Sequence, residues 1–296
     1  MKKKNSFNAL IFEMFGIEIN CDILSLGFLE DIRHGTLSYL EDVRYIKVLN
    51  KNTSIVAVFI KKEMLNEIKE TVIPIVVEKP KAAFFDIHNE YCKRFLKFPA
   101  SRISKSAHIA PNAFIAPRGV KIGENVKVYS QASILEGTEI GDNCSIGPGC
   151  VVGCEGIHVY EDLNGIKQIA VHDGIAKICK GVHVEANSVV LKGLMGRDTI
   201  IEDEAKIGPL ALVGHGVRIG KRSLVVGNVC LCGSAQVGND VWIGPQSVVS
   251  HGLIISDRAR VLMGSVVISN VKSDAVVSGN FAGPHEKNLL STAQRF

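Results

Sequence analysis

Two histidines and a glycine fall at equal intervals in the second half of the chain. His215, Gly233 and His251 are evenly spaced, and Gly214 and Gly216 flank the first histidine. If one turn of a repeating fold has the length of this interval, these positions stack in one outward-facing column, with the imidazoles about two strand spacings apart. An imidazole on each side of an accessible backbone N–H suits proton abstraction from a nucleophile and stabilisation of an oxyanion. A histidine outside such a column would be ordinary polar surface.

A hexad repeat between Ile201 and Val267 predicts the elements that hold this column. Every sixth residue is aliphatic, and the residue four places later is small or modest in size, as at Ala205 and Ser223. A period of six fits neither an amphipathic helix nor an alternating strand. Short fixed repeats are typical of a parallel β solenoid, with aliphatic side chains inside and small residues at the corners. The pattern resembles left-handed parallel β-helix proteins, and this resemblance implies three hexads per coil, which is the interval between His215 and Gly233.

Residues 1–100 lack the hexad period. Ser54–Ile60 and Thr71–Val77 are short β-branched runs typical of buried strands. Apolar residues at helical spacing predict a helix from Lys81 to Arg94. We therefore expect a small N-terminal α/β domain over this part of the chain.

The remainder of the chain is predicted to be mainly β. Residues 101–276 carry the hexads and are expected to form the β-helix domain. The period fails over a polar excursion at 153–177, and long loops leaving a regular scaffold tend to carry function. Residues 277–296 are expected to form a short C-terminal tail.

The composition argues against several classes of protein. A net charge of +4 with well-mixed charges, together with 6% aromatic residues, does not favour nucleic-acid binding. Cys144 and Cys150 hold small-residue positions and Cys230 and Cys232 lie within coils, so we expect buried free thiols in a reducing cytosol. No paired CxxC spacing predicts a structural metal. The N-terminal lysine run and apolar patch resemble a secretory leader, but Glu13 and Glu18 interrupt the patch and no cleavage site follows. No apolar run is long enough to cross a bilayer, so we expect a cytoplasmic protein.

Several segments carry a family resemblance. The segment His183–Gly238, with its insertion before Ile201, resembles the catalytic core of the UDP-3-O-acylglucosamine N-acyltransferases of lipid A synthesis. GCEGI at Gly153–Ile157 resembles the GxDGF loop of that family, and VSGN at Val277–Asn280 resembles its SGxP. HGTLSYLEDVRY at His34–Tyr45 resembles the part of its N-terminal domain that holds uridine.

The resemblance implies N-acylation of the amino group of a UDP-linked amino sugar by an acyl thioester, on acyl carrier protein or CoA, without a cofactor. In that family the histidine matching His215 is the general base, and the glycine matching Gly233 offers its N–H to the tetrahedral intermediate. His251 stands one place from the family's second histidine and is the third catalytic candidate. The resemblance also implies a homotrimer with active sites between subunits.

Six residues are candidates for substrate binding by the same resemblance. Asp42 stands where the family usually has asparagine, so its carboxylate must be turned away from an anionic nucleotide or be protonated. The six candidates are Tyr45, Asp42, Glu155, Gly156, His158 and Asn280.

Three other functions are compatible with parts of the sequence. An acetyl-CoA-dependent N-acetyltransferase acting on a nucleotide amino sugar for a surface glycan would keep the same chemistry. A metal hydratase of the γ-carbonic anhydrase type would use His215 and His251 as ligands, but Ser256 stands where the third histidine is required. A non-catalytic scaffold would need none of these side chains, so replacing His215 by alanine would change nothing measurable.

Overall fold

The computed structural model describes residues 6–279, which form two compact units. Within these residues, unit 1 comprises 6–97, 155–173 and 194–196, and unit 2 comprises the intervening segments and the remainder. The first unit ends at Lys97, slightly before the predicted domain boundary at position 100. The predicted tail at 277–296 lies mostly outside the described residues.

Unit 1 is built on a four-stranded parallel sheet. Its strands follow one another in chain order as β1 (Ser25–Leu26), β2 (Thr36–Leu40), β3 (Ile55–Ile60) and β4 (Ile73–Val76). The helical segments are α1 (Ser6–Phe15), the 3₁₀ turn Val43–Tyr45, α2 (Ile46–Lys51), the 3₁₀ turn Lys62–Glu67 and α3 (Pro80–Phe95). Helix α3 begins at Pro80, where a missing N–H costs no intrahelical hydrogen bond, and buries Phe84 and Ile87. The strands and helix predicted for this region are therefore present.

The excursion packs with unit 1, although the sequence prediction assigned it to the β-helix domain. It forms an antiparallel hairpin of Val159–Glu161 with Lys167–Ile169. Tyr160 is buried in the apolar core of unit 1, and its hydroxyl donates a hydrogen bond to Asp86 at 2.8 Å. An aromatic side chain placed in that core gives the excursion more buried apolar surface than a solvent-exposed loop would have.

Unit 2 is a parallel β-helix with three sheets, named here sheets I, II and III. Sheet I contains Arg102–Ile103, Val120–Ile122, Thr138–Ile140, Ala176–Ile178, Thr199–Ile201, Arg218–Ile219, Gln236–Val237 and Ile254–Ile255. Sheet II contains His108–Ile109, Lys127–Val128, Ser145–Ile146, His183–Val184, Lys206–Ile207, Leu224–Val225, Trp242–Ile243, Arg260–Val261 and Val276–Val277. Sheet III contains Phe114–Ile115, Ser133–Ile134, Val151–Cys154, Val189–Leu191, Leu212–Val213, Cys230–Leu231, Val248–Val249 and Val266–Val267. The predicted mainly β, hexad-based fold class is confirmed.

The strand register fixes the length of one coil. Val213 pairs with Leu231 and Leu231 pairs with Val249, so each coil in this region contains three hexads. Ile178 pairs with Ile201, and the coil between them is longer than three hexads because the inserted residues are accommodated before that strand. The coil length expected from the family resemblance is therefore the one that the structure has.

Most corners of the β-helix use the same local conformation. The aliphatic residue that ends the strand points inward and is buried, and the residue three places later has a positive φ. In the corners after Val213, Leu231 and Val249 these φ angles are +66° at Gly216, +61° at Ser234 and +68° at Gly252. The residue four places after the aliphatic one is small and buried, as at Ala235, so the predicted role of the small residues is confirmed.

Candidate active site

The backbone amide two residues after the inward aliphatic residue has a different hydrogen-bonding role in each of the three corner types of the β-helix. After sheet I, the side chain of the next coil accepts its hydrogen, as Asn239 Oδ1 does from Lys221 N–H at 2.9 Å. After sheet II, proline often stands at this position and has no N–H, as at Pro209 and Pro245. After sheet III, the position is held by His215, Gly233 and His251 in successive coils.

Backbone hydrogen bonds hold these three residues in one column. Ser234 N–H donates to the carbonyl of His215 at 2.8 Å, and Gly252 N–H donates to the carbonyl of Gly233 at 3.0 Å. The predicted stacking of His215, Gly233 and His251 is therefore present in the structure. His215 is half-buried and His251 is exposed, so both imidazoles can reach a ligand on the outer surface of unit 2.

The imidazole of His215 lies across Gly233. A Cβ placed on Gly233 would be 2.6 Å from His215 Nε2 and 2.7 Å from its Cε1. Only a residue without a side chain leaves room for this ring position. The ring centroids of His215 and His251 are 6.2 Å apart. This is closer than the two strand spacings that the sequence predicted, because nothing projects from Gly233 between the two rings.

The amide of Gly233 is a candidate donor for a ligand. Among the hydrogen bonds of residues 6–279, none has the Gly233 N–H as its donor. Buried and half-buried backbone N–H groups in folded proteins nearly always find an acceptor. An N–H beside an imidazole can therefore bind an oxyanion while the imidazole accepts a proton.

Two cysteines lie beside this column on the outer face of sheet III. Cys230 and Cys232 flank the inward-facing Leu231, so both thiols point outward and are half-buried. The expectation of buried thiols was wrong for this pair, because Leu231 is the residue of the three that faces the core. It was right for Cys144 and Cys150, which are 2% and 0% exposed.

Unit 1 contains a separate cavity of about 370 Å³. Its lining includes Asp42 and Tyr45, which the sequence predicted as uridine-binding residues, together with Phe28, Tyr39 and Lys81. The last three were not predicted, although Tyr39 lies in the same quoted segment and would have been a further aromatic candidate. Burial raises the pKa of Tyr39 to about 12, so it is a neutral phenol at physiological pH.

The carboxylate of Asp42 is paired with a neighbouring guanidinium. It accepts hydrogen bonds from the backbone N–H of Arg44 at 2.9 Å and from Arg44 Nε at 2.8 Å. These bonds lower the pKa of Asp42. The side chain is therefore turned toward Arg44, and this pairing favours the ionised carboxylate over the protonated state that the sequence left open.

The other predicted substrate residues have different surroundings. His158 is half-buried in unit 1, with its ring centroid 5.0 Å from that of Phe85. Glu155 is exposed and Gly156 is half-buried. Asn280 lies outside the described residues.

Known proteins share these hexads. A family model for bacterial transferase hexapeptide (six repeats) matches residues 119–154. Residues 119–154 are therefore similar to bacterial transferase hexapeptide repeats. The chain is 39% identical over 120 residues to a UDP-3-O-acylglucosamine N-acyltransferase from Rickettsia akari (strain Hartford), over 40% of this chain and 34% of that relative. A second relative of that name, from Rickettsia prowazekii (strain Madrid E), is 39% identical over 74 residues, which span 25% of this chain and 21% of the relative. The matched region is thus a minor part of the length of either relative.

Solved structures of UDP-N-acetylglucosamine acyltransferases also align with this chain. The Francisella novicida enzyme is 18% identical, with a TM-score of 0.48, over 65% of this chain and 71% of that chain. The Arabidopsis enzyme is 22% identical, with a TM-score of 0.46, over 64% and 76%.

One group of side chains in unit 1 has the composition of a metal site. Within residues 6–279, only His88, Cys92 and Asp173 form a group of three His, Cys, Asp or Glu side chains with ligand atoms within 4.8 Å of one another. His88 Nε2 already contacts the carbonyl of Val171 at 2.7 Å, so this ring ties the excursion to α3. The two histidines of the hydratase alternative belong to no such group in this part of the chain. No helix among the described residues is long and apolar enough to cross a membrane.

Proposed function

We propose that this protein is an N-acyltransferase that acylates the amino group of a UDP-linked amino sugar from an acyl thioester. The amine nitrogen attacks the thioester carbonyl carbon while His215 accepts the proton that the amine loses. The tetrahedral intermediate carries its negative charge on oxygen, where the N–H of Gly233 stabilises it. The intermediate then expels the thiolate, which takes the proton from the imidazolium, so the products are an amide and a thiol.

The placement of His215 across Gly233 carries this proposal. It brings a proton acceptor and a hydrogen-bond donor to the same point, and acyl transfer to an amine requires both. Neither group needs a metal or a redox cofactor to perform this chemistry. The relatives named as UDP-3-O-acylglucosamine N-acyltransferases support the choice of an amino sugar as acceptor.

The cavity of unit 1 is the proposed nucleotide site. Tyr45 is half exposed and offers an aromatic face to a base, and Lys81 offers a positive charge to phosphate. Asp42 is compatible with an anionic nucleotide because Arg44 balances its charge.

The outer face of sheet III supports a homotrimeric assembly. Phe114, Leu212 and Val266 occupy the same outward position in this sheet and are 53%, 39% and 58% exposed. Exposed apolar surface of this kind often marks an interface between proteins. Sheet I carries ion pairs on its outer face, such as Arg218 with Glu202, and it also contains the exposed Ile103 and Ile254. Sedimentation equilibrium measures the stoichiometry directly, and a monomer at micromolar concentration would contradict a trimer.

The activity can be tested with a matched set of donors. The purified protein is incubated with a UDP-3-O-acylated glucosamine and either hydroxyacyl carrier protein or acetyl-CoA, and the product is analysed by mass spectrometry. We expect a UDP-linked amide with the carrier-protein donor, formed at least about 10²-fold more slowly by the His215→Ala variant. Amide formation from acetyl-CoA alone would identify the alternative N-acetyltransferase. No amide with either donor, on this and on other nucleotide amino sugars, would contradict the proposal.

A further inference from the structure

Several corners of the β-helix are braced by a hydroxyl group of the preceding coil, which donates to one backbone carbonyl of the corner and accepts from one of its backbone N–H groups. Ser223 shows the regular form of this contact. Its hydroxyl donates to the carbonyl of Gly238 at 2.7 Å and accepts from the N–H of Val241 at 3.0 Å. Ser188 makes the equivalent pair of contacts with Gly208 and Ala211. In each case the hydroxyl belongs to the small residue at the corner directly below.

The residue four places after the inward aliphatic residue of the coil below does not brace the corner that carries His215. The corner residue four places after Val190 would be Leu194, which has no hydroxyl and which groups with unit 1. The insertion therefore removes the regular partner from the coil that precedes His215.

Thr199, at the end of the insertion, makes a related contact. It accepts from the N–H three places after the inward aliphatic residue, whereas Ser223 accepts from the N–H four places after it. Thr199 is fully buried, and its Oγ1 accepts a hydrogen bond from the N–H of Gly216 at 2.9 Å. The same hydroxyl points its hydrogen toward the carbonyl of Gly214, at a longer distance of 3.5 Å. One side chain thus contacts the backbone on both sides of His215. Its own N–H donates to the carbonyl of Ile175 at 2.9 Å, which anchors Thr199 to the coil below.

We propose that Thr199 is a positioning residue that holds His215 in register with the amide of Gly233. This inference rests on the proposed function, because it assigns Thr199 to the same acyl-transfer site. His215 stands between two glycines, and Gly216 has a φ of +66°, so the local backbone has more conformations available than other corners have. Removing the hydroxyl leaves the buried N–H of Gly216 without its acceptor, and a rotation of that peptide would move the imidazole. A displacement of about 1 Å at a catalytic group can reduce a rate by about 10²-fold.

The test uses three variants. Thr199→Val keeps the shape of the side chain and removes the hydroxyl, whereas Thr199→Ser keeps the hydroxyl. Ser223→Ala is the matched control, since it removes the same type of brace from a corner without a histidine. We expect Thr199→Val to lower kcat by about 10- to 100-fold with KM changed by less than about threefold. Thr199→Ser should stay within about threefold of the parent in kcat, and Ser223→Ala should lower the thermal midpoint without lowering kcat.

A second measurement does not depend on turnover. Diethyl pyrocarbonate acylates accessible imidazole nitrogens, and peptide mass spectrometry gives the rate for each histidine. In Thr199→Val we expect His215 to react several times faster than in the parent protein, because its Nε2 no longer lies against Gly233. The rate of His108, on sheet II, should be unchanged.

The outcomes separate the two proposals. If Thr199→Val matches the parent protein in kcat and in the modification rate of His215, the role of Thr199 is disproved and the proposed function stands. The same holds if Ser223→Ala lowers kcat as much as Thr199→Val does, since the effect would then be general to the corners. If the parent protein acylates no nucleotide amino sugar, the proposed function fails, and the modification rates still decide whether Thr199 positions His215.

Discussion

His215 Nε2 lies 2.6 Å from the point at which a side chain on Gly233 would begin. The two residues are one coil apart in the β-helix. Because atoms cannot approach so closely without a covalent bond, the ring position and the missing side chain depend on each other. Substituting either residue therefore tests the other.

Replacing Gly233 by alanine should reduce activity while preserving the fold. The new methyl group would displace the His215 ring and cover the N–H, so we expect kcat to fall by about 10²-fold or more. Gly227 provides a matched control, since it holds the equivalent corner position after sheet II in the same coil. The nearest atom to a Cβ on Gly227 is the carbonyl oxygen of Pro209 at 3.2 Å, a contact that a small shift relieves.

The comparison is made with thermal melts and steady-state kinetics of both variants. Similar thermal midpoints with a loss of kcat only in Gly233→Ala would support the role of Gly233. Equal activity of the two variants would contradict it.

Replacing His215 by alanine should reduce kcat by about 10²- to 10⁴-fold, the range that general-base catalysis contributes. His215 is half-buried at the surface of a corner, so the β-helix core should remain intact and the circular dichroism spectrum should be unchanged. His108→Ala is the control, because His108 is exposed on sheet II. A non-catalytic scaffold predicts the same result for both variants, namely no change in any rate.

His251 should contribute less than His215. It is more exposed, its ring centroid is 6.2 Å from that of His215, and the ring that lies against Gly233 is that of His215. We expect His251→Ala to lower kcat by about tenfold or to raise KM. The separate changes in kcat and KM show whether His251 acts on the chemical step or on substrate binding. A loss as large as that of His215→Ala would assign the base function to the pair.

The column could be predicted from sequence because the hexads determine it once the family resemblance supplies the coil length of three hexads. Once Val213, Leu231 and Val249 are inward-facing positions on one sheet, the residues two places later must stack. The ring separation could not be predicted, since it depends on side-chain torsions around an empty position. The brace from Thr199 could not be predicted either, because the insertion changes which residue lies below the corner.

The excursion shows a different limit of sequence reasoning. Its polar residues suggested a loop beside the β-helix, but Tyr160 makes its hydrogen bond with Asp86, far earlier in the chain. A single buried aromatic residue in a polar segment carries little periodic signal, so its partner is not evident from spacing. The pairing of Asp42 with Arg44 was easier to foresee, since the two residues are separated by one position and a 3₁₀ turn follows.

The nucleotide site can be tested by direct binding of UDP. Tyr45→Ala removes an aromatic face from the unit 1 cavity, and base–aromatic stacking contributes about 1–3 kcal/mol. We therefore expect Kd for UDP to rise by about 5- to 150-fold in calorimetric titrations. Tyr45→Phe should retain most of the affinity, and Tyr129→Ala, which changes a half-exposed tyrosine of unit 2, should have no effect. Unchanged affinity in Tyr45→Ala would exclude stacking by this residue.

The buried thiol of Cys144 predicts a stability change in alkaline solution. Burial raises the pKa of Cys144 to about 11, and its Sγ donates to the carbonyl of Cys179 at 2.8 Å. A folded-state pKa above the unfolded value means that the thiol contributes stability below about pH 9, and that this contribution is lost as the pH rises toward 11.

Serine holds the same corner position at Ser223 and Ser247, so Cys144→Ser should fold, keep a donor at this site and not titrate in this range. Urea unfolding at pH 8 and pH 10.5 should therefore show a steeper loss of the free energy of unfolding in the parent protein than in Cys144→Ser. Parallel losses in the two proteins would mean that the Cys144 thiol does not remain protonated in the folded state.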